Sequence, residues 1–409
     1  MSKAIRVILV IVVSLGVLAC AFAGGVAVGW GIPRSITSKV PVPMPSDTGA
    51  AETGTSDDLA DLFAPFWEAW DIVHAQYVDQ PVDDLLLMQG AIRGMMDSLG
   101  DPHTSYMDPV EYETANAPLE GSYEGIGAWV DTSGEWLTII SPIEGSPAEA
   151  AGLKPDDRIV GVDGEDMTGV DPELVRRKVL GPAGSPVVLT IAREGEAETF
   201  EVTLTRATVV LKSVNYEMLD GQIAYVEVTT FGDDTTSELK KALTDLMAQN
   251  PKGLILDLRN NGGGYLITAI EVVSQFIGDN QVIMYEQFGD GSRETYNALP
   301  GGLALDVPMV VLVNEGSASA SEITAGALQD YGRAQLVGVT TYGKGSVQTW
   351  NELDNNQGAV RVTIARWLTP KERLIHEVGL TPDVVVEITD EDVDAGRDPQ
   401  LEKAIELLK

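Results

Sequence analysis

A chain of 409 residues, 44% of them hydrophobic, exceeds the roughly 250–300 residues at which a single core stops growing, so two or three domains are expected. Its 27 Lys and Arg against 62 Asp and Glu give a net charge of −35, which argues against nucleic acid as a partner and against a polybasic contact with anionic lipid. One cysteine, Cys20, and three histidines, His74, His103 and His376, leave no disulfide framework, no cysteine zinc cluster and no ligand-like histidine spacing.

Lys3 and Arg6 precede an uncharged run from Val7 to Ile32. The run is long enough for the roughly 30 Å core of a bilayer and longer than the about 7–15 apolar residues of a cleaved signal. Residues 1–32 are therefore expected to be a retained anchor, with the body of the chain extracytoplasmic. The alternative is a lipoprotein, because VLAC ends at Cys20. Leu18 fits that box poorly, and Arg34 and Lys39 blunt the charge asymmetry. Residues 33–58, rich in Pro, Ser, Thr and Gly, read as a flexible linker.

From Leu59 to Tyr77 the apolar residues Leu62, Phe63, Phe66, Trp70 and Val73 recur at helical spacing. Leu85 to Leu99 repeats the signal and stops at Gly100-Asp-Pro102. The two give an N-terminal helical subdomain over 59–115, whose aromatic stripe packs internally or against a dimer partner. Residues 116–206 change texture to short glycine-bounded strands, GIGAWV, WLTIISPI, DRIVGVDG, PVVLTIAR and ETFEVTLTR, with short helices at SPAEAAGL and PELVRRKVLG. The stretches SYEGIGAWV, SPAEAAGLKPDDRIVGVDG and VVLTIAREG resemble a PDZ domain. That resemblance implies that backbone N–H groups of Gly125-Ile126-Gly127 hold the terminal carboxylate of a peptide added as a strand. Asp156 stands where that family has glycine, in a turn.

Residues 207–409 become α/β. QIAYVEVTTF, GLILDLR, PMVVLVN and AQLVGVT are continuous apolar strands of the kind covered on both faces. Helices over Thr236–Gln249, Tyr265–Ile277 and Ala320–Tyr331 lie between them, implying a parallel-rich sheet with right-handed crossovers. Ligands of such sheets bind at the carboxyl ends of strands, and both RNNGGG and NEGSASASE sit there. Ser319-Ala-Ser-Glu322 fits the capping box, with the serine hydroxyl bonding orphan helix N–H groups, and this explains the local pattern without chemistry.

A serine nucleophile would need a base and oxyanion donors. None of the three histidines lies in a strand-end segment of the α/β region, so a Ser-His-Asp triad has no support. Lys344 in TYGKGSVQ follows the strand AQLVGVT and is flanked by two glycines that leave its amine unshielded. Burial would have to lower its pKa for it to act as a base. The loop Asn260-Asn-Gly-Gly-Gly264 is either an anion-binding nest or a flexible turn.

The chain from about Leu59 to Lys409 resembles the carboxyl-terminal processing proteases, PDZ-containing serine peptidases of the S41 family with a Ser-Lys site. The resemblance rests on motifs in order: YVD, GMMDSLGDPHTSYM, the PDZ stretches, DLRNNGGG, VNEGSASASEI, YGKGSVQ, RWLTP, GLTPDVVV and DPQLEKAIELL. It implies Ser319 as nucleophile and Lys344, 25 residues on (344 − 319), as base, with Gln348 orienting the lysine. It also implies oxyanion donors at Ala320 N–H and at Gly262 or Gly263. Glu372 departs from the family's T-P-x-G-R, outside the catalytic set. Asp257 and Arg259 are expected to buttress the DLRNN loop, and His376 to be a surface residue.

The resulting expectation is an α/β protease core with an inserted PDZ domain and an N-terminal helical subdomain. It would be a membrane-tethered endopeptidase that cleaves near the carboxyl terminus of proteins with apolar tails. The PDZ domain would control access, no metal or nucleotide would be needed, and a homo-oligomer or an activator protein would be the partner. The rival is a catalytically silent PDZ scaffold, or a protease latent until a partner engages.

Overall fold

The computed structural model describes residues 56–409. The expected anchor and almost all of the linker lie outside these residues. Among the described residues no helix is long and apolar enough to cross a membrane. The chain divides into two units at Asp83/Asp84. In the first, α1 (Ser56–Gln76) carries a ladder of rings, with Phe66 and Trp67 centroids 5.1 Å apart and Trp70 stacked on His74. Leu62 and Trp67 remain exposed.

The second unit opens with α2 (Asp84–Asp97), the short strand β1 (Ser105–Met107) and α3 (Pro109–Glu120). The start of α3 is written in its sequence: Asp108 accepts from the N–H of Val110 and Glu111, Glu111 returns a bond to Asp108 N–H, and proline fills the first position. Gly121, at φ 70°, ends it in the left-handed conformation.

The PDZ region follows as β2 (Ser122–Gly125), β3 (Ala128–Asp131), β4 (Leu137–Pro142), α4 (Pro147–Ala150), β5 (Arg158–Val162), β6 (Glu165–Asp166), α5 (Pro172–Val179), β7 (Pro186–Ala192), β8 (Phe200–Thr205) and β9 (Ala207–Val210). Strands β3-β4-β5-β7-β8 form an antiparallel sheet, and β2 pairs with β9. Alternate residues of β7, Val187, Leu189 and Ile191, point into a core with Ile139 and Ile159. Burying each such side chain favours folding by about 1.5–3 kcal/mol. Asp156 sits in its turn at φ 67°, a conformation glycine adopts more readily.

The core is built from β10 (Val214–Leu219), β11 (Ile223–Val228), α6 (Thr235–Met247), β12 (Gly253–Asp257), α7 (Leu266–Val273), β13 (Val282–Phe288), β14 (Arg293–Asn297), β15 (Met309–Val313), α8 (Ala320–Asp330), β16 (Gln335–Gly338), β17 (Ser346–Glu352), β18 (Ala359–Leu368), β19 (Val384–Val385), α9 (Asp390–Asp394) and α10 (Pro399–Leu407). Its main sheet runs β10-β11-β12-β15-β16-β19, parallel except at the edge strand β10. Every residue of β12 and β15 is buried, because helices α6, α7 and α8 cover one face and α10 the other. That is why their sequences are unbroken apolar runs.

A second, antiparallel sheet runs β1-β18-β13-β14 with β17 on β18. Its strand β1 comes from the stretch expected to be helical and pairs Ser105 with Arg361. The loops after β12, β15 and β16 converge at one end of the main sheet.

Candidate active site

Ser319 is the residue before α8, and its backbone is strained: φ is 54° and ψ is −113°, a region that costs a non-glycine residue about 1–3 kcal/mol. The neighbours hold it there. Ser317 donates to Leu258 O at 2.7 Å and accepts from Asn314 N–H at 3.0 Å, while Ser321 donates to Asn261 O at 2.8 Å. Both are fully buried. Glu322 accepts from Ser319 N–H at 2.9 Å, the reciprocal bond of the expected capping box. Ser319 lines a cavity of 560 Å³.

The glycine loop forms the opposite lip. An added Cβ on Gly263 would lie 2.8 Å from Ser319 Cβ and 2.9 Å from Ala320 N, and its φ is 103°. Only glycine allows this approach. Asn261, fully buried, donates to Val228 O at 2.6 Å and accepts from Gly263 N–H at 2.9 Å. The N–H of Gly263 is thus already engaged, whereas that of Gly262 has no partner among the described residues. Ala320, first in its helix, has no intrahelical acceptor for its N–H. Behind the loop, Arg259 clamps Asp257 and reaches Asp398 and Gln400, and Tyr225 donates to Asp257 at 2.8 Å. Asp257 and Arg259 therefore brace the loop from outside the cavity.

Lys344 reaches the same cavity. Its main chain is gripped on both sides: N–H donates to Glu322 at 2.9 Å, and its carbonyl accepts from the Trp367 indole at 2.9 Å. Its amine has no ion-pair partner among the described residues. Burial pushes the Lys344 pKa down, Arg361 adds to the push, and Glu322 opposes it. Gln348 also lines the cavity, its amide nitrogen bonded to the hydroxyls of Ser346 (2.9 Å) and Thr363 (3.1 Å), with no partner for its side-chain oxygen among the described residues. The cavity wall includes Leu119, Leu266, Ile323, Val347 and Trp350, a surface suited to apolar side chains.

The expected residues Ser319, Lys344, Gln348, Gly262 and Gly263 are thus brought together, with Ala320 adjoining. The histidines are not among them. His103 and His376 stand 6.4 Å apart, ring to ring, in a separate cavity of 650 Å³. His74 lies on α1.

Three features were missed in the sequence. Glu322, fully buried, accepts four bonds: from Thr341 hydroxyl (2.5 Å) and the N–H groups of Gly343 (2.8 Å), Ser319 and Lys344 (2.9 Å each). One carboxylate thereby ties the Ser319 turn to the Lys344 loop. Arg361 lines the cavity. In the PDZ region the Tyr123 ring packs on Gly125, where an added Cβ would lie 2.9 Å from it. The loop expected to hold a peptide carboxylate is thus covered by the chain's own tyrosine. Only Glu322 had a local signal, its position three residues into the helix.

The chain matches the peptidase family S41 model over residues 222–386, a PDZ domain model over 138–193, and the model of the activating protease CtpB N-terminal domain over 38–110. It is 38% identical over 341 residues to the carboxy-terminal processing protease CtpA of Bacillus subtilis, covering 83% of this chain and 71% of that one. It is 38% identical over 339 residues to the carboxy-terminal-processing protease of Bartonella bacilliformis, covering 82% and 77%. Among solved structures, the photosystem II D1 C-terminal processing protease is similar at 31% identity and a TM-score of 0.50, with 87% of this chain and 97% of that one covered. A putative S41 protease from Bacteroides fragilis, at 17% identity and a TM-score of 0.54 over 81% and 91%, shares the fold.

Proposed function

The chain belongs to the carboxy-terminal processing proteases, serine-type peptidases of family S41 with a PDZ domain, and we propose that it is a membrane-tethered extracytoplasmic endopeptidase working through Ser319 and Lys344. The observation that carries the reading is a strained serine lining the same cavity as a half-buried lysine that has no ion-pair partner among the described residues.

Neutral Lys344 takes the Ser319 hydroxyl proton as the oxygen attacks the scissile carbonyl. Charge develops on the carbonyl oxygen, and the N–H of Ala320 with that of Gly262 or Gly263 receives it. Because the Gly263 N–H is engaged by Asn261, Gly262 serves without rearrangement, and Gly263 serves only by exchanging that bond. The Lys344 ammonium returns the proton to the leaving amine, and the lysine then deprotonates the water that hydrolyses the acyl-enzyme. Gln348, held by two hydroxyls, orients the amine through its carbonyl oxygen. The apolar cavity wall takes an apolar carboxyl-terminal tail.

PDZ control is supported by contacts between α5 and α3. Arg177 pairs with Asp108, the cap of α3, at 3.2 Å, and Arg176 donates to Thr114 at 3.1 Å. Helix α3 contributes Tyr112 and Leu119 to the Ser319 cavity, so a shift of the PDZ helix moves a wall of the site. Peptide capture at Gly125-Ile126-Gly127 requires Tyr123 to leave that loop. The match of residues 38–110 to an activating-protease domain supports a partner, either a second copy or an activator, acting on the N-terminal segment.

A serine-directed peptidyl phosphonate tests the site. It is expected to modify Ser319, at a rate that falls as pH falls and Lys344 protonates, and not to modify Lys344→Met. Modification of another serine, or equal rates with and without Lys344, would overturn the assignment.

A further inference from the structure

Arg361 lines the Ser319 cavity from β18 as a cation without a counter-ion among the described residues. Its backbone is fixed opposite Ser105 of β1, and its Nε donates to the His103 carbonyl at 2.9 Å. The other enclosed arginines are matched. Arg193, Arg259 and Arg373 each pair with a carboxylate, those of Asp157, Asp257 and Asp330. Arg206 and Arg333 each donate to three carbonyls. Arg361 has one carbonyl on Nε, and its terminal nitrogens have no partner among the described residues. Among the described residues no carboxylate lies within ion-pair distance of it, although acidic residues outnumber basic ones 62 to 27 in the sequence. Asp101 acts on it only from beyond that distance, its own oxygens being engaged by Thr104 and the His103 N–H.

A half-buried guanidinium with its fork open into a reaction cavity matches the bidentate geometry of a carboxylate. We propose that Arg361 is a specificity-determining residue that binds a carboxylate of the peptide substrate, so that the enzyme prefers an otherwise apolar tail bearing one carboxylate near the bond cut. The proposal rests on the Ser319 cavity being the reaction site. An acidic side chain and the free carboxyl terminus offer the same chemistry to Arg361. Anion binding here also has a cost for the base: Arg361 holds Lys344 toward its neutral form, and a bound carboxylate offsets part of that field.

The test uses the full chain in detergent and an apolar peptide in which glutamate or glutamine is scanned through the positions around the cut, each version with a free or an amidated carboxyl terminus. Glutamate is expected to exceed glutamine at one position, or the free terminus to exceed the amide, by roughly 10- to 100-fold in kcat/KM, the scale of charge-assisted hydrogen bonds. That ratio should collapse toward one in Arg361→Gln and persist largely in Arg361→Lys. A carboxylate preference of equal size in Arg361→Gln overturns the proposal and assigns it to the PDZ loop. A flat scan in the unaltered enzyme overturns it whether or not the variants fold. Failure of the unaltered enzyme to cut any of the peptides would overturn the endopeptidase reading itself, an outcome distinct from cutting without preference.

Discussion

Glu322→Gln keeps the shape of a buried side chain and removes the charge that joins the two halves of the site. Glu322 Oε2 accepts from Ser319 and Lys344 N–H, and Oε1 from Thr341 hydroxyl and Gly343 N–H. In glutamine one of these oxygens becomes a donor facing donors. One or two charge-assisted bonds are lost, each contributing about 1.5–3 kcal/mol, and a buried N–H is left unmatched. A loss of about 3–4 kcal/mol lowers Tm by roughly 6–16 °C at about 2–4 °C per kcal/mol. Ser319 and Lys344 lose their common anchor, and a misplacement on the order of 1 Å costs about 100-fold in rate. The pH profile moves the other way. Glu322 raises the Lys344 pKa, so its neutralisation lowers that pKa further, the amine stays neutral to lower pH, and the acid limb of kcat/KM shifts to lower pH. Thermal unfolding and a kcat/KM profile across pH read both effects. An unchanged Tm and rate with an unmoved acid limb would refute the role given to this carboxylate.

Ser319→Gly relieves the positive-φ strain; after the entropy cost of glycine it should stabilise the fold by about 0.5–2 kcal/mol while abolishing turnover, as urea unfolding would show. A less stable variant would contradict the strain argument. Lys344→Met should be inactive, and it should also flatten stability against pH. In the parent the unfolded chain holds a proton that folded Lys344 has shed, so stability rises with pH from the lowered folded pKa up to about 10.4. Matching slopes in the two proteins would mean that Lys344 titrates normally. Tyr123→Ala removes the ring that packs on Gly125 and should tighten binding of an apolar carboxyl-terminal peptide. Weaker binding by calorimetry would show that Tyr123 assists the peptide.

The strands β12 and β15 were legible because burial on both faces demands continuous apolar runs, and GLILD and MVVLV are such runs. Helix α8 was legible from its capping pattern, but the strain at Ser319 was not. The capping box is a local rule, whereas the strain at Ser319 comes from Ser317 and Ser321 bonding to the loop after β12, some 60 residues away. The antiparallel sheet was hidden for the same reason: β1 finds β18 across more than 250 residues, and no period in either strand announces the other. Arg361 and Tyr123 read as ordinary strand residues because what distinguishes them is an absent counter-ion in one case and a covered loop in the other. Glu372 departs from its family's glycine at φ 57°; its pairing with Arg293 at 3.0 Å is exposed and offsets little of that strain.

Cleavage of an unfolded protein with an apolar carboxyl terminus, by the full chain and by Ser319→Ala side by side, tests the central claim most directly. The account predicts carboxyl-terminal fragments from the parent and none from the variant. Equal cleavage by both would contradict it, because the nucleophile would then lie elsewhere.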